Sequence, residues 1–310
     1  MPYPIEKKLV VGVSSNALFN LEFEDNLFLT EGLTKYRDYQ LANLNKKIDK
    51  GLAFPFIKRF LNINNIYTEE QPVEVVLLSK NSPETGIRIF NSIEEYNLNI
   101  TRAAFVSGRS PYEYIPAYNI SLFLSTNDLD VSNSIKAGFP AGRFLRTSVV
   151  DSDIDNELRV AFDFDGVIID DESEAVYKKT DELKLFHDHE VTNLNKPHNP
   201  GPLAEFFKKL SYFQKMESKK EQTNTGYKKL LRTAIITARN APSHTRAVNT
   251  LKEWGITVDE LHLLGGIEKR RILETFKPQI YFDDQTIHLD PKLKDIPLVH
   301  IPFGVANSKV

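Results

Sequence analysis

Two carboxylates two residues apart, Asp163 and Asp165, interrupt an apolar run that begins at Leu158. Val160 to Phe162 reads as a buried strand, and a strand interior has no use for two acids. At the C-terminal end of a strand in a parallel α/β sheet, where ligands bind, such a pair can act as nucleophile, proton donor or cation ligand. Alone, Asp-x-Asp is equally a solvated turn or a simple cation loop. Three later stretches add to it. Thr233-Ala-Ile-Ile236 ends on Thr237, followed by Ala238-Arg239. Leu261-His-Leu-Leu264 leads through Gly265-Gly266 to Lys269, at the start of a helix. Gln279-Ile-Tyr-Phe282 ends on Asp283-Asp284-Gln285. Carboxylates, a hydroxyl and an ammonium group together can supply a cation, a nucleophile and a proton donor. These strand ends offer all three.

Each residue has a plainer reading when taken singly. Thr237 caps the helix that follows, Lys269 is a solvated helix residue, and Asp283-Asp284 is a turn. Asp170, Asp171, Glu172 and Glu174 read as acids gathered at a helix N-terminus and not as a second metal site. Arg239 and Arg246 read as structural ion pairs. The seven histidines show no metal-ligand spacing.

The elements that must position these groups alternate. Strands are expected at 8–13, 73–78, 103–106 and 120–124, with helices over 30–43 (Thr30 as cap), 53–62 and near 84–96. After the strand 158–162, residues 171–200 read as an inserted cap. Gly201-Pro202 then opens a helix carrying Leu203, Phe206, Phe207, Leu210 and Phe213 at helical spacing. Residues 217–229 are polar and expected to be an exposed loop. A helix with Val248, Leu251 and Trp254 inward follows Thr237. Then come a strand at 260–264, a helix at 268–276, and strands at 279–282 and 297–301. Strand-helix alternation implies an α/β fold with a doubly wound parallel sheet. The polar run 151–157 divides the chain into domains 1–150 and 151–310, two units of ordinary size.

Composition narrows the function. A net charge of −3 and a pI near 6.2 give no basic field for nucleic acid. The sequence lacks cysteine, which excludes disulfides, thiolate catalysis and Cys-ligated metals. The first residues have no apolar signal-like region and no run approaches membrane-spanning length. A soluble cytoplasmic protein with a small-molecule ligand is the expectation, and nothing in the sequence opposes a homo-oligomer.

The order Asp-x-Asp, Thr, Lys, Asp-Asp on successive strand ends resembles the four motifs of the haloacid dehalogenase-like (HAD) superfamily. That resemblance implies a HAD-like, Rossmannoid catalytic domain with a small cap insertion. Asp163 is then the nucleophile, and Asp165 the acid that protonates the leaving group and later activates water. Thr237 and Lys269 bind the phosphoryl charge. Magnesium is the implied cofactor, held by Asp163, the carbonyl of Asp165 and Asp284, with Asp283 either a further ligand or an orienting neighbour.

The first half can be laid on the second. Ser14 aligns with Asp163 at an offset of 149, Gly51 with Gly201 at 150, and Ser79 with Thr237 at 158, an offset kept through Thr126 and Asp284. Arg88, Asn91, Glu95 and Gly108 then face Arg246, Asn249, Glu253 and Gly266. Asp163, Asp165, Lys269, Asp283 and Asp284 face Ser14, Asn16, Pro111, Ser125 and Thr126. The first half is therefore expected to be a degenerate HAD-like lobe that cannot form a phosphoenzyme.

Several stretches narrow the resemblance further. They are Val13-Ser-Ser-Asn-Ala-Leu-Phe19, Ala53-Phe-Pro-Phe56, Gly86-Ile-Arg-Ile-Phe-Asn-Ser92, Ala161-Phe-Asp-Phe-Asp165 with Asp171-Glu-Ser-Glu174, Thr237-Ala-Arg239 and Phe282-Asp-Asp-Gln285. Together they are similar to the cytosolic 5′-nucleotidase type I family, the AMP-preferring enzymes and their bacterial relatives. The resemblance implies hydrolysis of nucleoside 5′-monophosphates such as AMP, IMP or deoxynucleotides. Phe164, between the two acids where the vertebrate enzymes carry Gly, is expected to border the site and influence base or sugar preference.

Overall fold

The computed structural model describes residues 3–145, 151, 155–180 and 182–307. Residues 152–154 of the expected link lie outside them. The chain divides into two compact units, Met1–Arg146 and Thr147–Val310.

The first unit carries five parallel strands: β1 (Leu9–Val13), β2 (Val73–Ser79), β3 (Arg102–Phe105), β4 (Ile120–Ser125) and β5 (Ala141–Phe144), in spatial order β3-β2-β1-β4-β5. Helices pack both faces of such a sheet, so its central strands are apolar throughout. Val73-Glu-Val-Val-Leu-Leu-Ser79 and Leu9-Val-Val-Gly-Val13 are buried at every position.

The second unit carries β6 (Leu158–Phe162), β7 (Leu231–Thr237), β8 (Glu260–Leu263), β9 (Ile280–Asp283) and β10 (Leu298–His300), in order β8-β7-β6-β9-β10 and again parallel. The chain steps from β6 outward to β8 and returns to the other side of β6 with β9. The reversal at β6 and β9 opens a crevice at their C-terminal ends.

The two units repeat one register. Leu9 pairs with Val73 and Leu158 with Leu231; Val13 pairs with Leu124 and Phe162 with Phe282. An isolated bridge joins Phe19 to Lys50 in one unit and Ile169 to Pro200 in the other. Beside these bridges sit Gly51 and Gly201, where a Cβ would lie 2.6 Å from the Ala17 carbonyl and 2.2 Å from the Ile169 carbonyl. Only glycine allows that approach. The buried arginines also coincide. Arg88 Nε donates to the Lys46 carbonyl and Arg246 Nε to the Lys196 carbonyl. Asn91 and Asn249 donate to the carbonyls of Leu44 and Leu194.

Several local expectations change. The first long helix runs over Glu22–Ala42 and not from residue 30; Leu21 at its start supplies no side-chain cap, and Gly32 (φ 82°) breaks it internally. Thr30 lies inside it and donates to the Asn26 carbonyl. The next helix extends over Phe54–Ile66. Residues 217–223 are helical, as the end of Ala204–Thr223, because Glu217 is buried there. Glu217 accepts from the backbone N–H groups of Leu230 and Leu231 and from the Tyr227 hydroxyl, which fixes the entry to β7. In the helix His244–Glu253, Ala247 and Leu251 face inward; Val248 is 43% exposed, and the partly buried Trp254 ends the helix. Residues 171–200 hold two helices, Glu172–Thr180 and Leu183–Thr192.

Candidate active site

Adjacent parallel strands bring the predicted groups to one edge. Asp163 follows β6, Thr237 ends β7 and Asp283 ends β9, while Lys269 opens the helix Lys269–Phe276 after β8. Lys269 Nζ lies 2.9 Å from Asp163 Oδ1 and 2.7 Å from Asp283 Oδ2, and all three side chains are buried. Burial alone would lower the lysine pKa; the two carboxylates overcome that and hold it raised and charged.

Asp283 has its carboxylate fully engaged. Oδ2 accepts from Lys269 and from the Tyr281 hydroxyl, and Oδ1 from the Gln285 backbone N–H at 2.9 Å, with His288 Nδ1 at 3.3 Å. Burial would raise its pKa, but Lys269 and His288 hold it well below the carboxylate range. Asp284 is the opposite case. It is 1% exposed and neither of its side-chain oxygens has a hydrogen-bond partner. Burial raises its pKa strongly, and the charges of Asp163, Asp283 and Glu174 add to the rise. The Asp163 pKa is also raised, by burial first and despite Lys269.

Uncompensated carboxylate oxygens in a buried acidic crowd are what a hard cation relieves. Asp163, Asp283 and His288 also offer ligand atoms within 4.8 Å of one another. Gly166 (φ 70°) brings the loop after β6 against Asp284, where a Cβ would meet Oδ2 at 2.6 Å. The donor set fits magnesium. A second group within the same span, Asp170, Glu172 and His198, already has partners. Asp170 accepts from Asn199, and Glu172 meets Arg246 and His189.

Thr237 Oγ1 accepts from the Arg239 backbone N–H at 3.2 Å, which leaves its proton to donate. Arg239 and Arg246 form buried ion pairs, as expected. Arg239 Nε and Nη2 grip Asp165 Oδ2 and Oδ1 at 2.8 and 2.7 Å, and its Nη1 meets Glu190. Arg246 meets Glu190 at 2.9 Å and Glu172 at 3.2 Å. Phe164 departs from expectation: its ring is fully buried, 5.3 Å from the Arg239 guanidinium and edge-on to His198, so it does not wall the crevice.

Sequence reading missed Tyr281, His288 and Glu190, and read Glu174 only as one of the acids at a helix N-terminus. Tyr281 was the one legible from local pattern, since it lies two residues before Asp283 on the same face of β9.

The 5′-nucleotidase family model matches residues 1–308. The chain is 34% identical over 300 residues to human cytosolic 5′-nucleotidase 1B, covering 93% of this chain and 48% of that protein. The chain thus spans about half the length of that relative.

Proposed function

The chain belongs to the 5′-nucleotidase family, and on that premise we propose that it hydrolyses nucleoside 5′-monophosphates to nucleoside and phosphate, with magnesium, in the cytoplasm. The observation that carries the reading is Asp284. Its buried oxygens lack partners while Asp163, Thr237 and Lys269 converge beside it.

Asp163, steadied through Oδ1 by Lys269, attacks phosphorus with its free oxygen. The bond from phosphorus to the 5′-oxygen breaks as an aspartyl-phosphate forms, and Asp165 gives the departing oxygen its proton. Asp165 then takes a proton from the water that attacks phosphorus, releasing phosphate and restoring the Asp163 carboxylate. Thr237 donates to a phosphoryl oxygen and Lys269 opposes the charge that gathers in each transition state. Magnesium, held by Asp163, Asp284 and the carbonyl of Asp165, would supply the remaining positive charge. Asp283 serves as the orienting neighbour that fixes Lys269. The first unit, with Ser14, Asn16, Ser125 and Thr126 at the corresponding positions, is a degenerate lobe without this chemistry.

Phosphate release from AMP, IMP, dTMP and glucose 6-phosphate, with magnesium and with chelator, tests the reading beside Asp163→Asn. Magnesium-dependent release from the nucleotides, abolished in the variant, is the expected result. Turnover of the sugar phosphate alone keeps the chemistry and overturns the substrate. Release from none overturns the hydrolase.

A further inference from the structure

Asp165 does not stand alone at the crevice. The Arg239 fork holds both its oxygens, at 2.8 and 2.7 Å, and the guanidinium is itself 2% exposed. Rings of Phe164 and Phe186 lie 5.3 and 5.4 Å from its centre. Its third nitrogen meets Glu190, on the helix Leu183–Thr192, and donates to the Ser243 carbonyl at 3.3 Å. Glu190 is fully buried. It also takes Arg246 at 2.9 Å and the Ser173 hydroxyl at 2.7 Å, with His198 Nε2 at 3.4 Å. A bidentate arginine fixes a carboxylate in direction as well as place. It occupies two of the four lone-pair sites, so one on each oxygen remains to face a reacting group.

The first unit separates the two jobs of this cluster. Arg246 has a buried counterpart in Arg88, and Arg88 Nη1 donates to Gln40 Oε1 at 3.1 Å, as Arg246 Nη1 does to Glu190 Oε1. Gln40 stands to Glu190 as Lys46 stands to Lys196, both 150 residues apart. The same Arg88 nitrogen meets the buried Glu24 at 2.6 Å, as Arg246 Nη2 meets Glu172, so with that acid balancing the charge a neutral amide serves in the place of Glu190. Asn81 stands to Arg239 as Ser79 stands to Thr237: Asn81 N–H donates to Ser79 Oγ just as Arg239 N–H donates to Thr237 Oγ1. Asp165, Arg239 and Glu190 are thus replaced together by Asn16, Asn81 and Gln40, whereas Arg88 persists. The charges vanish as a set in the half whose strand ends lack acids, which ties them to chemistry and not to folding.

Resting on the nucleotidase reading, we propose that Arg239 is a positioning residue for Asp165, and that Glu190 aims Arg239, so that the helix Leu183–Thr192 sets the direction of the acid. The carboxyl group of Asp165 is held with its open side toward the leaving oxygen. Loss of the fork leaves substrate binding intact and slows the step in which a poor leaving group needs its proton.

The test uses the full chain with magnesium and three variants: Arg239→Asn, Arg239→Lys and Glu190→Gln. Unit 1 already folds around Asn81 and Gln40 at the matching places. kcat and KM are measured for AMP and for p-nitrophenyl phosphate, whose leaving group needs no proton. We expect Arg239→Asn to lower kcat on AMP about 100-fold, with KM within about threefold. Arg239→Lys keeps the charge but not the fork, so it should rescue little. Glu190→Gln should lower kcat about tenfold. On the aryl phosphate the first step, read as the burst of p-nitrophenol, should lose under about tenfold, because only the later attack of water uses Asp165 there. A loss in that burst equal to the loss on AMP, full activity of Arg239→Lys, or no loss at all overturns the proposal. If the aryl phosphate is not turned over, the Arg239→Lys comparison and the kcat–KM split on AMP decide. A wild-type protein inactive on both substrates overturns the nucleotidase reading instead, and with it the premise.

Discussion

Asp283 and Asp284 are consecutive, yet their carboxylates do opposite things: Asp283 spends both oxygens on Lys269, Tyr281, Gln285 and His288, and Asp284 leaves both without a partner. Their substitutions should therefore separate. Asp284→Asn is expected to raise the magnesium concentration for half-maximal activity at least tenfold. Asp283→Asn is expected to lower kcat about 100-fold through the freed Lys269, with a smaller effect on magnesium. A magnesium titration of both variants checks this, and identical metal dependence would overturn the division of roles.

Stability of the metal-free protein should depend on pH through the same acids. Asp284 and Asp163 have pKa values raised on folding, chiefly by burial. A carboxyl raised on folding contributes stability that is full below the unfolded value, near pH 4, and lost as pH rises through the folded one. With chelator present, the unfolding temperature should fall from pH 5 to pH 9, and magnesium or Asp284→Asn should flatten the slope.

Glu190 runs the other way. Burial would raise its pKa, but the His198 ring beside it and the charge of Arg239 hold it well below the carboxylate range. Its contribution is present above about pH 4.5 and lost as pH falls further. Acid unfolding of Glu190→Gln should begin at lower pH than in the wild type, as followed by circular dichroism.

Glu217 closes the gap between a helix and β7 with three accepted hydrogen bonds, two of them from backbone N–H groups. Glu217→Ala leaves those donors buried and should cost about 2–4 kcal/mol in urea unfolding. A loss under about 0.5 kcal/mol would show that water replaces the carboxylate.

Gly166 is required by space and by its backbone. Gly166→Ala would drive a Cβ to 2.6 Å from Asp284 Oδ2 at φ 70°. Activity should fall more than tenfold, with a higher magnesium concentration needed for half-maximal activity, while thermal unfolding moves by only a few degrees.

The strand-end residues were legible because a buried strand tolerates no charge without a use for it. Asp163, Thr237, Lys269 and Asp283 each broke an apolar run or followed one. What holds them was not legible. Arg239 finds Asp165 across 74 residues and Glu190 across 49, and no local pattern carries such a pairing. The helix Glu22–Ala42 escaped because its first residue has no side-chain cap to announce it, and Gly32 interrupts its period. Val248 follows a helical apolar pattern yet faces solvent, since periodicity gives a stripe and not its depth. Phe164 lay between two acids in sequence, but it sits in the bend after β6 with its ring buried against Arg239 and His198.

Trp254, at the end of the helix His244–Glu253, is the sole tryptophan of the chain and belongs to the second unit. Its emission therefore gives an optical signal confined to the half that carries the acids. Circular dichroism sums both halves. Any lag between the two traces during denaturation would resolve the melting order of the units, in the unsubstituted chain and without a label.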